Sequence, residues 1–465
     1  MSILAAYCVP HPPIILPEIG RGEEGKIRRT TEALSRIAKE IAQLKPDTII
    51  LITPHMVMYQ DYFHIAPGKT AHGDLTQFGA PEVSLHASYD EELIQKLSLH
   101  LAQESFPAGT QGVQDATFDH ATVVPLYFIQ KEYQDFNLLR IGLSGFDLVT
   151  HYQLGMHIQQ VVEDLGRHCI IVASGDLSHR LKEDGPYGFN PKGPIYDQAI
   201  MAALSSGDFK EILAMDSELY EAAGECGHRS FAIMAGCLDR KSIQSEAYSY
   251  EGPFGVGYGT VAIKVSGHDS NRDFLDQYLK TSEEKSESKR ETASPLVRLA
   301  LATIVAKLKG ERFNLKEYLK TNSLPDTFLA NQAGTFVTLK KNGQLRGCIG
   351  TIAPTTDTVV DEVVRNAIEA AFYDPRFPSL SQEEFLQIDC SVDVLAPAET
   401  IHSVDQLNPK QYGVIVTKGP RRGLLLPNLV GVDTVEEQLK IAKSKAGIGP
   451  DEDCELERFK VVRYV

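Results

Sequence analysis

Continuous apolar stretches rich in β-branched residues constrain the fold of this chain more than any other feature. The clearest is TIILIT at Thr48–Thr53, and a second lies at Cys169–Ala173. Apolar residues on both faces of a strand are typical of parallel sheets that helices cover on both sides. Between such strands the sequence predicts amphipathic helices, for example over Lys26–Leu44. Residues 1–266 are therefore expected to form an α/β domain around a central mixed or mostly parallel sheet. Further strands of this domain are predicted at Ile3–Val9, Leu138–Leu143 and Gly257–Val265.

A charged, serine-rich segment divides the chain. Residues 267–294 contain the stretch KTSEEKSESKRE, which has no large apolar residue, so a solvated linker is predicted, with a frayed helix as the alternative. Ser294-Pro295 has the pattern of a helix N-cap followed by proline at the first helical position. Residues 295–465 are expected to form a smaller α+β domain. Its predicted helices are Pro295–Leu308, Asp357–Tyr373 and Val435–Ala446, and its predicted strands are Thr335–Leu339, Ile388–Leu395 and Val414–Thr417.

Charge and composition narrow the classes of partner. The net charge is −16, most of it within residues 1–265, and because acidic chains repel phosphate backbones no nucleic acid is expected. No apolar run approaches the ~20 residues that span a bilayer, so no membrane partner is expected. The seven cysteines form no CxxC pair and the first residues lack the basic stretch of a signal peptide, which together favour a cytoplasmic location. The oligomeric state stays open, with a homo-oligomer as one alternative.

Three histidines follow predicted strands. His11 follows the predicted strand Ile3–Val9, and His55 follows TIILIT. His179 ends the string SGDLSH, which follows the predicted strand Cys169–Ala173. Because ligands bind beyond the carboxyl ends of parallel strands, these imidazoles are expected at one edge of the sheet, although each could also be an ordinary surface or packed residue. Two neutral imidazoles and one carboxylate can hold Fe(II). Glu225, in AGECGHRS, could supply that carboxylate or could only interact with a helix N-terminus.

The ordered set of motifs in residues 1–266 carries a family resemblance. The strings VPHP, TPH, FDHA, SGDLSH and GECG resemble those of the catalytic B subunit of class III extradiol ring-cleavage dioxygenases and of the related Memo family. The resemblance implies that His11, His55 and Glu225 bind Fe(II). It also implies that His179 is the acid/base residue and that His120 contacts substrate and oxygen.

This resemblance implies an oxidoreductase that opens the ring of a catechol-like or aminophenol-like molecule with O₂. His179 would take a proton from the substrate and later return one. Memo proteins carry a cysteine at the carboxylate position, whereas this sequence has Glu225 there, which completes the set of two histidines and one carboxylate. Cys226 is a further candidate ligand, and zinc is the alternative to Fe(II). Two other functions stay open: a metal-dependent enzyme of another kind, such as a hydrolase or a step in a cofactor pathway, and a Memo-like binding or scaffold protein.

The second domain carries a different set of motifs. The strings LRGCIGT, AFYDPRFP, GVIV and GLLLP resemble those of AMMECR-type domains. That family implies no particular activity, but the microbial context of both families implies a radical S-adenosylmethionine protein as a partner. From the residues alone, Arg346 could bind an anion or favour the thiolate of Cys348. The alternative is a tight turn at the glycines with a buried cysteine.

Overall fold

The computed structural model describes residues 2–114, 117–341, 343–429 and 431–465. The chain divides into two compact units, Met1–Lys280 and Thr281–Val465. No helix in the described ranges is long and apolar enough to cross a membrane. The strands of the first unit are β1 (Ile3–Val9), β2 (Thr48–Thr53), β3 (Phe63–His64), β4 (Thr70–Leu75), β5 (Ala80–Ser88), β6 (Ala108–Gly109), β7 (Asn137–Gly142), β8 (Cys169–Ser174), β9 (Lys241–Glu251) and β10 (Tyr258–His268). Its helices are α1 (Pro17–Gly20), α2 (Arg28–Leu44), α3 (Glu91–Gln103), α4 (His120–Glu132), α5 (Leu148–Asp164), α6 (Lys192–Ser206), α7 (Lys210–Ala214), α8 (Ser217–Ala223) and α9 (His228–Cys237).

The central sheet of the first unit is mixed, as expected. Its strand order is β7-β2-β8-β1-β10-β9. β7, β2, β8 and β1 run parallel, whereas β10 and β9 are antiparallel to their neighbours. Every residue of β2 and β8 is buried, because α4 and α9 both pack against these two strands. The continuous apolar runs therefore lie where their composition predicts.

The strand order brings three predicted loops to one edge of this sheet. β2, β8 and β1 are neighbours, and their carboxyl ends point the same way. The segments that follow them carry His55, His179 and His11. The loop after β8 also crosses the loop before α9 in direct backbone contact, since a Cβ on Gly175 would lie 2.1 Å from the Cα of Gly227. Glycine at both positions allows this close approach.

The charged segment between the predicted domains is helical. α10 spans Phe274–Thr292, and the boundary between the two units falls inside it. Its first residues, Phe274 and Leu275, pack into the core of the first unit, while the charged stretch that follows is mostly exposed. Glu and Lys have high helix propensity, so a solvated stretch of them can remain helical. Of the two alternatives for this segment, a solvated linker or a helix, the structure contains the helix.

The second unit is built on antiparallel sheets, which confirms the expected smaller α+β domain. Its helices are α11 (Pro295–Leu308), α12 (Leu315–Thr321), α13 (Asp326–Ala330), α14 (Val359–Phe372), α15 (Gln382–Phe385) and α16 (Val435–Ala446). Its strands are β11 (Thr335–Lys341), β12 (Gln344–Gly350), β13 (Ile388–Leu395), β14 (Glu399–Ile401), β15 (Gly413–Lys418), β16 (Arg421–Leu425), β17 (Glu455–Phe459) and β18 (Val461–Tyr464). The two sheets have the orders β12-β11-β13-β18 and β14-β17-β15-β16. The Ser294 side chain accepts a hydrogen bond from the Val297 N–H, so the predicted N-cap of α11 is present.

The RGCIG string is a strand and not a tight turn. It lies in β12, and its glycines serve packing against a helix and a neighbouring strand. A Cβ on Gly347 would lie 2.2 Å from the carbonyl oxygen of Ala370 in α14, and one on Gly350 would lie 2.3 Å from the ring of Phe336. These glycines are therefore explained by close approach and not by turn conformation.

Candidate metal centre

His11, His55 and Cys226 form a compact cluster of metal-binding atoms. The Nε2 atoms of His11 and His55 lie 3.1 Å apart, and the Cys226 Sγ lies 3.6 Å from the His11 Nε2. All three ligand atoms lie within 4.8 Å of one another. Imidazole nitrogen and thiolate sulfur are ligands of Zn, Cu and Fe. These three residues could consequently hold a metal ion, and they lie at the sheet edge that the sequence predicts.

Glu225 lies outside this cluster. One of its carboxylate oxygens accepts a hydrogen bond of 2.5 Å from the backbone N–H of His228, where α9 begins. The first N–H groups of a helix have no partner within the helix and attract a carboxylate. Glu225 therefore has the helix-start role that was the alternative to metal binding. Because its neighbour Cys226 faces the histidines, the set of ligands that the structure brings together differs from the predicted His11, His55 and Glu225.

A hydrogen-bond chain sets the proton position on His11. The Ser174 hydroxyl donates to the carbonyl oxygen of Ala121 at 2.7 Å and lies 3.0 Å from the His11 Nδ1. A hydroxyl has only one proton to donate, so the His11 Nδ1 must be the donor in the second contact. The proton on Nδ1 leaves a lone pair on Nε2, which is the atom that faces His55 and Cys226. This arrangement is typical of a ligating histidine held by a partner behind it.

Replacing Ser174 with alanine is expected to weaken metal binding by about 10- to 100-fold, because the acceptor that holds the His11 Nδ1 proton is lost. Competition with a chromophoric chelator measures this affinity. Ser205→Ala is the matched control, since the Ser205 hydroxyl donates to Met201 within α6. An unchanged affinity in Ser174→Ala would show that the hydrogen bond does not orient His11.

Burial acts in opposite ways on the imidazoles and the thiol of the cluster. It lowers the pKa of His11 well below its usual value, and the neighbouring imidazoles lower it further. It raises the pKa of the Cys226 thiol, which the nearby Asp176 and Glu225 raise further. A neutral imidazole can bind a metal directly, whereas the thiol must lose its proton to the incoming ion. His55 is exposed, so the site opens to solvent on that side.

His120 and His179 lie beside this cluster, as the resemblance implies. The His120 ring stacks on the His55 ring with centroids 4.4 Å apart. The His179 ring lies 5.1 Å from the Tyr187 ring, and its Nε2 is buried without a hydrogen-bond partner among the described residues. Burial, together with the charge of His55, lowers the pKa of each to about 4. Both imidazoles are therefore neutral near pH 7 and can accept a proton.

Asp176 joins the two loops that carry His11 and Cys226. Its Oδ1 accepts a hydrogen bond of 2.8 Å from the His11 backbone N–H, and its own N–H donates to the Cys226 Sγ at 3.3 Å. Burial raises the pKa of Asp176 to about 7. Asp176 lies inside the SGDLSH string but is not among the site residues predicted from the sequence.

Asp119 connects the end of β2 with the start of α4. Its Oδ1 accepts from the Thr53 hydroxyl at 2.8 Å, and its side chain caps α4 through the Thr122 N–H. His55 follows the strand and His120 begins the helix, so this contact holds the two stacked rings together. Asp119 lies inside the FDHA string but is likewise not among the site residues predicted from the sequence.

Aromatic side chains and a small cavity border the cluster. The Phe78 ring lies 5.3 Å from the His120 ring in an edge arrangement. Tyr187, beside His179, is 61% exposed. A cavity of about 180 Å³ adjoins His55 and reaches the buried side chain of Arg140. Aromatic side chains thus lie next to His120 and His179, the two histidines that are not candidate metal ligands.

Comparison with known families identifies both parts of the chain. A family model described as the catalytic LigB subunit of aromatic ring-opening dioxygenase matches residues 5–261, more than half of the chain. The chain belongs to this LigB family. An AMMECR1 family model matches residues 297–464. The protein therefore joins a LigB-family domain to an AMMECR1 domain, which confirms the architecture that the motifs imply.

Relatives of this LigB-family protein occur in other microorganisms. A protein of Clostridium acetobutylicum is 42% identical over 100% of this chain and 99% of its own length. A protein of Thermotoga maritima is 55% identical over 30% of this chain and 83% of its own length.

Two crystal structures resemble parts of the chain. An uncharacterized protein of Pyrococcus horikoshii, PH0010, is 33% identical and covers 36% of this chain and 88% of its own, with a TM-score of 0.32. An uncharacterized protein of Escherichia coli K12, JW3007, is 14% identical and covers 56% of this chain and 99% of its own, with a TM-score of 0.38.

Arg346 and Cys348, the candidates in the AMMECR1 domain, lie in the second unit and form no part of the metal cluster. The Arg346 guanidinium donates to both carboxylate oxygens of Glu384, at 3.1 and 2.8 Å. Arg346 is therefore engaged in an internal ion pair. Cys348 is partly buried, and its Sγ lies 3.3 Å from the Thr338 hydroxyl. Its N–H donates to Asp374, so the YDPR segment holds this strand in place.

Proposed function

We propose that the LigB-family domain is an extradiol-type dioxygenase that opens the ring of a catechol-like or aminophenol-like molecule. The observation that supports this is the convergence of His11, His55, His120, His179 and Cys226 at one edge of the sheet. Opening an aromatic ring with O₂ needs a metal ion and separate groups that move protons. Ligand atoms and neutral, uncommitted imidazoles are both present here.

The residues present fit a transition metal. His11 and His55 would hold it through Nε2, and Cys226 would hold it through Sγ, since these atoms already face one another. Fe(II) is the metal that this proposal requires. When bound, it would allow the aromatic substrate and O₂ to exchange electrons, which side chains alone cannot do.

The protein's own groups would bind the substrate and move its protons. The unpartnered His179 Nε2 would take a proton from the substrate hydroxyl or amino group and later return it. His120, held against His55, would hydrogen-bond to the substrate. The Phe78 and Tyr187 rings would contact the flat faces of an aromatic substrate, for which offset stacking is favourable.

Anaerobic loading with Fe(II), followed by O₂ and a panel of catechols and aminophenols, tests this proposal. We expect oxygen uptake with at least one compound, at one O₂ for each ring-opened product. His86→Ala, which changes an exposed histidine outside the cluster, should behave as the unchanged protein. Iron-loaded protein that consumes no oxygen with any of these compounds would contradict the proposal.

The thiol ligand favours a second candidate, a zinc-dependent hydrolase. Thiolate sulfur suits zinc and Cu(I) better than it suits Fe(II), and the usual non-haem iron oxygenase site has a carboxylate in its place. In this case His179 would take a proton from the attacking water. Elemental analysis of protein purified without oxygen separates the two: zinc without oxygen uptake favours the hydrolase, and iron with oxygen uptake favours the dioxygenase.

A further inference from the structure

The second unit contains a cavity of about 430 Å³ that is separate from the metal centre. It is lined by residues 388–391 of β13, the part of that strand that β18 does not pair with. On its other side β13 pairs with β11 along this length. The cavity therefore lies at an open strand edge, where side chains of α10 and α11 form the opposite wall.

Basic side chains exceed acidic ones in this lining. Lys289, Arg290, Lys340 and Arg463 contribute positive charge, and Asp389 is the one carboxylate side chain among the described lining residues. Lys289 pairs with Asp389 at 2.6 Å, and Arg463 donates to Asp393, which lies outside the lining. Within the described part of the chain, neither Arg290 nor Lys340 forms an ion pair. The Arg290 guanidinium donates to the carbonyl oxygen of Phe385, and Asp389 lies near it. An anion in the cavity would therefore meet two cations that form no ion pair of their own.

Two polar atoms at the cavity are buried and lack hydrogen-bond partners in the part of the chain that the structure describes. They are the Arg290 Nε, a donor, and the Asp389 Oδ1, an acceptor. A buried polar atom without a partner is costly, so such atoms are rare in folded proteins. Burial also lowers the pKa of Arg290, while the nearby Glu287 and Asp389 act in the opposite direction. An anionic group in the cavity would supply the acceptor that the Arg290 Nε lacks.

The uncharged part of the lining combines apolar side chains with the hydroxyl groups of Thr292, Thr338 and Ser391. Val297 and Leu301 of α11 and Ile388 of β13 contribute to it. A cavity of this volume, with mostly apolar walls and a few polar groups that converge, is typical of sites for small molecules. We propose that it binds a small organic anion with an apolar body. Arg290 and Lys340 hold the anionic group, and the apolar side chains of the lining contact the body of the ligand.

Calorimetric titration of the full-length protein tests this with octanoate as the probe and octan-1-ol as its uncharged counterpart. We expect octanoate to bind about tenfold or more tightly than octan-1-ol, because charge-assisted hydrogen bonds are the stronger ones. Arg290→Gln and Lys340→Gln should each weaken octanoate binding by about fivefold or more. Lys440→Gln, in α16 and outside the cavity, is the matched control and should leave binding unchanged.

Lys340 is exposed, so its replacement tests the charge without disturbing the fold if Arg290→Gln unfolds the unit. Equal affinities for octanoate and octan-1-ol, or no binding of octanoate, would overturn the proposal. The same holds if Lys440→Gln weakens binding as much as Lys340→Gln does, since general surface charge would then explain the effect.

Discussion

Replacement of Cys226 by alanine is expected to lower metal affinity by about a hundredfold or more, whereas Glu225→Gln should change it by less than about threefold. The Cys226 Sγ is one of the three converging ligand atoms, and removing it leaves two imidazoles. Glutamine at position 225 retains an oxygen that can accept from the His228 N–H, so the start of α9 is preserved. These adjacent replacements form a matched pair on one loop, and competition titration with a chelator measures both.

The opposite result would support the ligands predicted from the sequence, which are His11, His55 and Glu225. If Glu225→Gln lost the metal and Cys226→Ala retained it, the third ligand would be Glu225. His55→Ala should lose the metal in either case, since His55 belongs to both sets. Circular dichroism of each variant checks that loss of metal is not loss of fold.

Replacement of His179 by glutamine is expected to lower turnover by about 10²- to 10⁴-fold while the metal content stays unchanged. This corresponds to about 3 to 5 kcal/mol of transition-state stabilisation. Glutamine keeps a polar side chain of similar length but cannot take up a proton near pH 7. Oxygen uptake with a catechol or aminophenol measures turnover, and elemental analysis measures the metal.

The pH profile separates proton transfer from a structural effect at His179. If this imidazole moves a proton, the turnover rate of the unchanged protein should change with pH as His179 titrates. The turnover rate of His179→Gln should lack that change. His86→Gln should keep both the rate and the profile. A variant with full turnover, or one that loses its metal, would show that His179 is not the acid/base residue.

Local patterns predicted part of the regular structure. The strands at Ile3–Val9, Thr48–Thr53 and Ile388–Leu395 and the helix at Val435–Ala446 have the bounds that the sequence predicts. These elements depend on runs of apolar residues or on caps, which are properties of a few adjacent positions. The need for glycine in the RGCIG strand could not be predicted from the sequence. Gly347 is required by the close approach of Ala370 in α14, and Gly350 by the close approach of Phe336 on the neighbouring strand β11.

The candidate site was predictable in part. His11, His55 and His179 meet at one edge because each follows a parallel strand, and parallel strands end at the same edge. The choice between Glu225 and Cys226 was beyond the sequence, since it depends on which side of one loop faces the histidines. Four expectations stay predictions: no nucleic-acid partner, no membrane partner, a radical S-adenosylmethionine protein as a partner, and a homo-oligomer.

The sequence by itself determined the α/β class of the first domain, several of its strands, the two-domain architecture and the histidines at strand ends. It could do so because apolar periodicity and motif strings are written in neighbouring residues. Only the tertiary structure decided the third candidate ligand, the proton position on His11 and the cavity beside β13. Each of these depends on contacts between distant residues, such as Cys226 and His11, which are 215 positions apart. The direction of such a side chain depends on how its loop packs against other loops. The residues next to it in the sequence do not determine that packing.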